Sequence, residues 1–203
     1  MIRALLLDLG NVLVSHDNAK LFRALATALG RPQEEVERRL DASLWARVNR
    51  GQLPGDQLRR AVVAALGVEI TPARWFEVWN CHFSLNTRVI AVVEQLVGRV
   101  RLVLLSNTHD QHIAFIRPQV PVLERFDGLV LSCEVGFAKP EPEIYRRALE
   151  VAGVTAAEAA FFDDVPAYAE AATKLGIAGR VFRGVDPFRA DLAALGVALE
   201  GSR

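Results

Sequence analysis

The sequence is poor in features that mark several common protein classes. Its 203 residues include two cysteines, Cys81 and Cys133, which stand far apart. This excludes a disulfide framework and gives no metal-binding spacing such as C-x-x-C. Lysine plus arginine equal aspartate plus glutamate at 24 each, and no basic run is interleaved with aromatic residues. The electrostatic signature of nucleic-acid or anionic-membrane binding is therefore missing, and small-molecule partners are favoured.

Long apolar runs are missing too. The first apolar stretch ends at Asp8, which is too short for the core of a signal peptide, and no run approaches the ~18 residues of a membrane span. We therefore expect a cytoplasmic protein. The oligomeric state cannot be read from the sequence.

The sequence is rich in small and medium apolar residues: 51% are hydrophobic, but only 7% are aromatic. Short apolar runs at 2–7, 100–105, 129–131 and 159–162 are each followed by a polar residue, as expected of buried parallel strands. A fifth strand is predicted at 180–183, after a turn at 176–179. Helical patterns between the later runs, such as 166–176 and 186–195, predict an α/β fold with a doubly wound, Rossmann-like parallel sheet.

Residues 15–86 interrupt this alternation. They contain helical patterns at 18–29, 34–44, 56–66 and 71–79, and no convincing strand. We therefore predict that 15–86 is an α-helical cap inserted into a core made of 1–14 and 87–203. Trp45, Trp75 and Trp79 all fall in the cap. They are expected to pack its small core, and the alternative is that one of them lines a substrate pocket.

Polar residues stand at the ends of three predicted strands: Asp8, Ser106, Asn107, Asp163 and Asp164. Because the carboxyl ends of parallel strands meet at one edge of a sheet, we expect these residues to be neighbours around a crevice. Carboxylates gathered there repel one another unless a cation neutralises them, and such oxygen ligands suit Mg²⁺. The pattern therefore predicts a magnesium site.

Each of these positions also has a purely structural interpretation. Asp8, followed by Gly10 and an asparagine, could end its strand in a turn. Residues 106–108 could cap the helix that follows them, and 163–164 could cap the helix near residue 166. Lys139 lies in a loop after the third apolar run that two prolines make stiff. It could be a solvated surface lysine or a lysine that binds phosphate.

Taken together, four segments resemble the four motifs of the haloacid dehalogenase-like (HAD) hydrolase superfamily. They are Leu-Asp-Leu-Gly-Asn-Val-Leu at 7–13, Leu-Ser-Asn-Thr at 105–108, Lys-Pro at 139–140 and Phe-Phe-Asp-Asp at 161–164. Each motif is weak alone, but the ordered set, with a helical insert after the first, is specific and covers nearly the whole chain. The resemblance implies a Mg²⁺-dependent phosphatase that acts on a small phosphorylated metabolite, such as a sugar phosphate.

The resemblance also implies a role for each site residue. Asp8 would attack phosphorus and form an aspartyl-phosphate. Ser106, with Asn107 beside it, would bind the phosphoryl group, and Lys139 would neutralise its charge and steady Asp8. The ligands of Mg²⁺ would be Asp8, the backbone carbonyl of Gly10, and Asp164 with the adjacent Asp163.

Gly10 departs from the common family pattern, in which a second aspartate protonates the leaving group. The branch that contains the bacterial α-glucose-1-phosphate phosphatase shares this glycine, so its presence does not imply an inactive enzyme. His16 and His109 follow two of the motifs and are candidate substitute acids; solvated loop histidines are the alternative. Two rival functions stay open: a 2-haloacid dehalogenase, which uses the same nucleophile on carbon without a metal, and a non-catalytic phosphate-binding or regulatory protein.

Overall fold

A five-stranded parallel sheet forms the centre of the computed structural model, which describes residues 1–199; the end of the predicted core, 200–203, lies outside them. In chain order the strands are β1 (Ala4–Leu7), β2 (Val14–His16), β3 (Phe83–Leu85), β4 (Arg101–Ser106), β5 (Gly128–Leu131), β6 (Ala159–Asp163) and β7 (Ala178–Val181). The central sheet has the order β5-β4-β1-β6-β7, and its neighbouring strands are parallel. The predicted doubly wound α/β core is confirmed.

Helices cover both faces of this sheet. In chain order they are α1 (Asn18–Leu29), α2 (Gln33–Arg39), α3 (Ala42–Asn49), α4 (Gln57–Leu66), α5 (Pro72–Asn80), α6 (Thr87–Leu96), α7 (Asp110–Ile116), α8 (Ser132–Val135), α9 (Pro142–Ala152), α10 (Pro166–Lys174) and α11 (Val185–Ala194). Side chains alternate along β1, so Leu5 and Leu7 share a core with α6 and α11, while Leu6 packs with α9 and α10 on the other face. Within residues 1–199, no helix combines the length and apolarity that crossing a membrane requires.

The fifth strand of the sheet lies two residues earlier than the sequence predicted. β7 starts at Ala178, inside the predicted turn, because it pairs in parallel with β6 and Ala178 lies beside Ala160. Gly179 is in the strand because α10 packs closely on it: a Cβ at this position would lie 2.1 Å from the carbonyl oxygen of Ala169. Here the glycine marks a close approach of two backbones, not a turn.

The proposed cap, residues 15–86, has an apolar core of its own. Trp75 and Trp79 of α5 are buried in it with side chains from α1, α2, α3 and α4. The prediction of one helix at 34–44 is wrong, because α2 and α3 divide this segment. The carboxylate of Asp41 accepts a hydrogen bond from the backbone N–H of Leu44 and starts α3 as its N-cap.

The expectation of no strand in 15–86 is also wrong. β2 and β3 form a two-stranded antiparallel sheet in which Val14 lies opposite Leu85 and His16 opposite Phe83. Each strand has only three residues, so its alternating pattern was too short to stand out. This sheet lies where the two ends of the proposed cap join the core.

A loop and a helix of the proposed cap also contact the core directly. Gly51 packs so closely on Cys133 that a Cβ would lie 2.0 Å from its carbonyl oxygen. Trp75 Nε1 donates a hydrogen bond to Gln111 Oε1 of α7 at 3.0 Å. The core segments in these contacts follow β4 and β5, so the cap lies near the carboxyl ends of the sheet strands.

Candidate active site

The three central strands bring the predicted residues together at their carboxyl ends. Asp8 follows β1 directly, Ser106 ends β4 and Asp163 ends β6. The backbone N–H of Asp8 donates to the carbonyl of Phe162 at 3.0 Å, which fixes Asp8 against β6. Asp8, Ser106 and Asp163 are all buried, although each is polar. Buried polar groups at this edge of an α/β sheet indicate a ligand site.

Lys139 lies between two of these acids. Its Nζ is 2.7 Å from Asp8 Oδ1 and 2.6 Å from Asp163 Oδ2. Burial alone would lower the pKa of Lys139, but the two carboxylates outweigh this effect and raise it. Burial raises the pKa of both Asp8 and Asp163, and Lys139 opposes that rise. Lys139 is therefore a buried cation that favours ionised Asp8, and its interpretation as a solvated surface lysine is wrong.

Asn107 holds the loop that carries Lys139. Its Nδ2 donates to the Lys139 carbonyl at 2.9 Å, and its Oδ1 accepts from the Lys139 N–H at 2.7 Å. Both ends of the side-chain amide are thus engaged with one backbone segment. Asn107 therefore fixes the position of the Lys139 backbone.

Ser106 lines a cavity next to these acids. The alternative in which 106–108 cap the following helix is wrong. His109 occupies the N-cap position of α7, and the backbone N–H of Thr108 donates to Ser132 Oγ at 3.0 Å. Ser106 is therefore placed by the end of its strand and not by the start of the helix.

Three acids are close enough to share a cation. One carboxylate oxygen from each of Asp8, Asp163 and Asp164 lies within 4.8 Å of the other two. When all three are ionised, their charges and the single charge of Lys139 sum to −2. A divalent cation that prefers oxygen ligands fits this group in both charge and chemistry.

Asp163 and Asp164 differ in what their oxygens already contact. Both oxygens of Asp163 accept hydrogen bonds, one from Lys139 Nζ and one from a backbone N–H at 2.8 Å. Asp164 accepts at Oδ2 from Asn11 Nδ2, at 2.8 Å. Asp164 therefore has more free capacity than Asp163 to contact a cation, while Asp163 holds Lys139. No role for Asn11 was predicted from the sequence, although its place in the first motif was an available signal.

A cavity of about 270 Å³ lies between this site and the proposed cap. Leu9, Gly10 and Ser106 line it from the core, and Trp45 and Asn49 of α3 line it from the cap. Trp75 and Trp79 pack in the apolar core of the proposed cap, as expected, whereas Trp45 lines the cavity. That the cavity is a substrate pocket stays a prediction.

All four histidines of the chain line this cavity: His16, His82, His109 and His112. Trp79 Nε1 donates to His109 Nε2 at 2.7 Å, so this nitrogen carries no proton. Burial lowers the pKa of His109 and His112, and it lowers the pKa of His82 to about 4. Neither His82 nor His112 was predicted as a site residue, because His82 lies in the turn after α5, His112 lies in α7, and neither matches a motif.

Gly10 leaves a space beside Asp8 that His16 fills. A Cβ at Gly10 would lie 3.4 Å from both Cε1 and Nδ1 of His16, and 4.0 Å from Asp8 Oδ2. The other candidate acid, His109, has each ring nitrogen facing a neighbouring side chain. Of the two histidines, His16 is the one placed next to the nucleophile position.

The doubly wound core, the acids and lysine at its strand ends, and the inserted helices define a class of hydrolase. The model of the haloacid dehalogenase-like hydrolase family matches residues 2–176, and the chain belongs to this family. D-ribitol-5-phosphate phosphatase from Bacteroides thetaiotaomicron is 25% identical over 172 residues, which cover 81% of this chain and 84% of that protein. The family resemblance seen in the sequence is confirmed.

Solved structures show the same architecture. A HAD family enzyme from Bacteroides thetaiotaomicron, in complex with magnesium and inorganic phosphate, has a TM-score of 0.81 and 26% identity, covering 90% of this chain and 95% of that one. L-2-haloacid dehalogenase from Xanthobacter autotrophicus has a TM-score of 0.65 and 19% identity, covering 98% and 85%. At that identity, the second similarity shows a shared fold.

Proposed function

We propose that the chain is a Mg²⁺-dependent phosphatase that hydrolyses a small phosphorylated metabolite, such as a sugar phosphate, through an aspartyl-phosphate on Asp8. One observation carries the proposal: the buried ammonium of Lys139 lies between Asp8 and Asp163, next to a cavity that Ser106 lines. A cation so placed stabilises an ionised nucleophile and an arriving phosphoryl group. The named activity of the Bacteroides relative supports a phosphate ester as substrate.

In the proposed reaction, an oxygen of Asp8 forms a bond to phosphorus while the ester P–O bond breaks. The leaving oxygen takes up a proton, and water then hydrolyses the aspartyl-phosphate to inorganic phosphate and restores Asp8. Lys139 balances the charge of the phosphoryl oxygens, and Ser106 binds one of them. Asn107 keeps Lys139 in place through its two hydrogen bonds to the backbone.

Mg²⁺ fits the acidic group of this site. We assign Asp8 and Asp164 as its ligands, with Asp163 adjoining, and the family resemblance adds the backbone carbonyl of Gly10. When bound, the cation would stabilise the charge on the phosphoryl oxygens. The magnesium and phosphate in the structure of the Bacteroides enzyme support this assignment.

Two rival functions are less well supported by the site. A 2-haloacid dehalogenase needs no metal, and without one the −2 charge of the three acids and Lys139 together would oppose an anionic acid substrate. The similarity to the Xanthobacter dehalogenase concerns the fold. A non-catalytic phosphate-binding protein would share the site but would show no turnover.

Steady-state assays with p-nitrophenyl phosphate, with and without Mg²⁺, test the proposal. We expect turnover that requires Mg²⁺ and that falls by at least about 10³-fold in Asp8→Asn, because the amide is a poor nucleophile. Asp186→Asn, at an exposed aspartate of α11, is the matched control and should keep full activity.

Each rival predicts a different result in the same experiment. Turnover that survives in a correctly folded Asp8→Asn variant would exclude Asp8 as the nucleophile. Chloride release from 2-chloropropionate without metal would support the dehalogenase. Phosphate binding without turnover of any ester would support the non-catalytic protein.

A further inference from the structure

Within residues 1–199, the wall of the cavity beside the phosphate site has no permanently charged side chain. Among the described residues that line it, none is Asp, Glu, Lys or Arg; the wall consists of apolar, aromatic, amide, hydroxyl and imidazole side chains. An ionised group that packs against such a wall loses part of its hydration and finds no carboxylate, ammonium or guanidinium group there to pair with. A neutral group carries no such cost. The wall therefore discriminates by charge.

The buried histidines of this wall supply no positive charge. Nε2 of His109 accepts from Trp79 Nε1, so the ring is not an imidazolium. His82 and His112 are buried, and Nδ1 of His82 and Nε2 of His112 have no hydrogen-bond partner within the described part of the chain. Charging either ring would leave an uncompensated cation inside the protein. These three imidazoles are neutral polar groups, and the fourth histidine, His16, lies beside Gly10 at the Asp8 end of the cavity.

The cap side of the cavity offers an aromatic face and an amide on one helix. Trp45 is stacked on Trp79 with ring centroids 5.4 Å apart, and Trp79 is stacked on Trp75 at 5.0 Å, so packing holds the Trp45 ring in place. Asn49 follows Trp45 by one helical turn and lines the same cavity. An aromatic face packs against C–H groups, and an amide both donates to and accepts from hydroxyls.

The volume of the cavity limits the size of what it encloses. At about 270 Å³ it lies just below the range of ~300–1,000 Å³ that is usual for drug-sized ligands. A group of monosaccharide or short polyol size suits this volume better than a nucleoside joined to further phosphates.

From these features we infer that the substrate's leaving group is small, uncharged and rich in hydroxyls, and that Trp45 and Asn49 of α3 select it. This inference rests on the proposed phosphatase activity, because it concerns the part of the ester that remains after phosphoryl transfer. The charged end of the substrate meets Lys139 and the cation-binding acids. The neutral end lies against the tryptophan face and the amide.

A matched set of esters tests the charge selection on the wild-type enzyme. Three esters share a pyranose ring and an anomeric leaving oxygen and differ in charge. Glucose 1-phosphate carries no further charge, glucuronic acid 1-phosphate adds a carboxylate, and glucosamine 1-phosphate adds an ammonium group. Ribitol 5-phosphate and ribonic acid 5-phosphate form a second pair. We expect kcat/KM to be at least about 100-fold higher for the neutral member of each set. Equal values within both sets, or no turnover of either neutral ester, would overturn the inference.

Charged variants of Asn49 test where the selection resides. Asn49→Arg should move the kcat/KM ratio toward glucuronic acid 1-phosphate by about tenfold or more, and the near-isosteric Asn49→Asp should move it toward glucosamine 1-phosphate. Ala46→Arg and Ala46→Asp add the same charges at an exposed position of α3 and should leave the ratios unchanged. Equal shifts at positions 46 and 49 would contradict a contact with Asn49.

Trp45 is tested by Trp45→Phe and Trp45→Ala with the neutral esters. Trp45→Ala should raise KM for these esters about tenfold or more. Trp45→Phe should keep most of the wild-type affinity, because phenylalanine retains an aromatic face. An unchanged KM in Trp45→Ala would remove this residue from the binding surface. Mg²⁺-dependent turnover of p-nitrophenyl phosphate, measured in every variant, separates failure of the selection from failure of the phosphatase assignment.

Discussion

Replacing His16 by alanine tests whether this imidazole protonates the leaving group. His16 Nδ1 lies 3.4 Å from the position of a Cβ on Gly10, where relatives with an aspartate have their acid. Its backbone is held by pairing with Phe83 and by a hydrogen bond to Asn11 Oδ1 at 3.3 Å. The imidazole is therefore placed beside Asp8 by a fixed strand, as a substitute acid must be.

The size of the effect depends on the leaving group. A general acid typically contributes ~10²–10⁴-fold, or about 3–5 kcal/mol of barrier. An alkyl or sugar oxygen needs that proton, whereas p-nitrophenolate is stable enough to leave without it. We expect His16→Ala to lower kcat/KM for glucose 1-phosphate by ~10²-fold or more and for p-nitrophenyl phosphate by less than about tenfold. In the wild type and in His16→Ala alike, kcat/KM should be higher for sugar 1-phosphates than for sugar 6-phosphates, because an anomeric hydroxyl is the more acidic leaving group.

The assay is a series of aryl and alkyl phosphates of increasing leaving-group pKa, read as kcat/KM, which reports the steps up to departure of the leaving group. The dependence of kcat/KM on the pKa of the leaving group should be steeper in His16→Ala than in the wild type. Gly10→Asp in the His16→Ala background should flatten it again, because removal of the ring makes room for the carboxylate. His109→Gln is the control, since both of its ring nitrogens already face other side chains.

Two results would refute this reasoning. One is a wild-type rate that does not vary with leaving-group pKa although chemistry is rate-limiting. The other is an equal loss for aryl and alkyl esters in His16→Ala, which would indicate a structural role for the ring.

Three further predictions concern the metal, the cap contact and acid stability. Calorimetry should show that Asp164→Ala weakens Mg²⁺ binding by at least about tenfold, and unchanged binding would remove Asp164 from the ligand set. Gly51→Ala should lower the free energy of unfolding by about 2–4 kcal/mol, because its Cβ would meet the carbonyl of Cys133. Gly55 has the same left-handed backbone but open space around it, so Gly55→Ala should lower the free energy of unfolding by only about 1 kcal/mol. Equal losses for the two variants in denaturant titrations would contradict the close contact at Gly51. Burial lowers the pKa of His82 from 6.5 to about 4, so the unfolded chain binds its proton more readily and stability falls as pH decreases from 6.5 to 4. His82→Gln should reduce that loss by on the order of 2 kcal/mol in unfolding curves at the two ends of this range, and an unchanged pH dependence would show that His82 is not responsible.

Local sequence signals were sufficient for the strand ends and for some helices. α1 has the predicted bounds, because Asp17 caps its start and Gly30 ends it in the left-handed conformation. Asp8, Ser106 and Asp163 stand at the ends of apolar runs, and the rule that parallel strands end at one edge of a sheet was enough to group them. These features depend on neighbours along the chain or on one general property of parallel sheets.

Only the tertiary structure decided which side chains meet across the cavity. His82, which follows α5, meets His112 because α5 packs against α7. Asn107 reaches Lys139 because two loops at the sheet edge touch. The contact of Gly10 with His16 depends on strands of three residues, too short to show a period. Periodicity reports that a segment has a buried face, but it carries no information on which distant segment covers that face. The wall that would select the substrate is made of such contacts between distant segments, so it could not be read from the sequence.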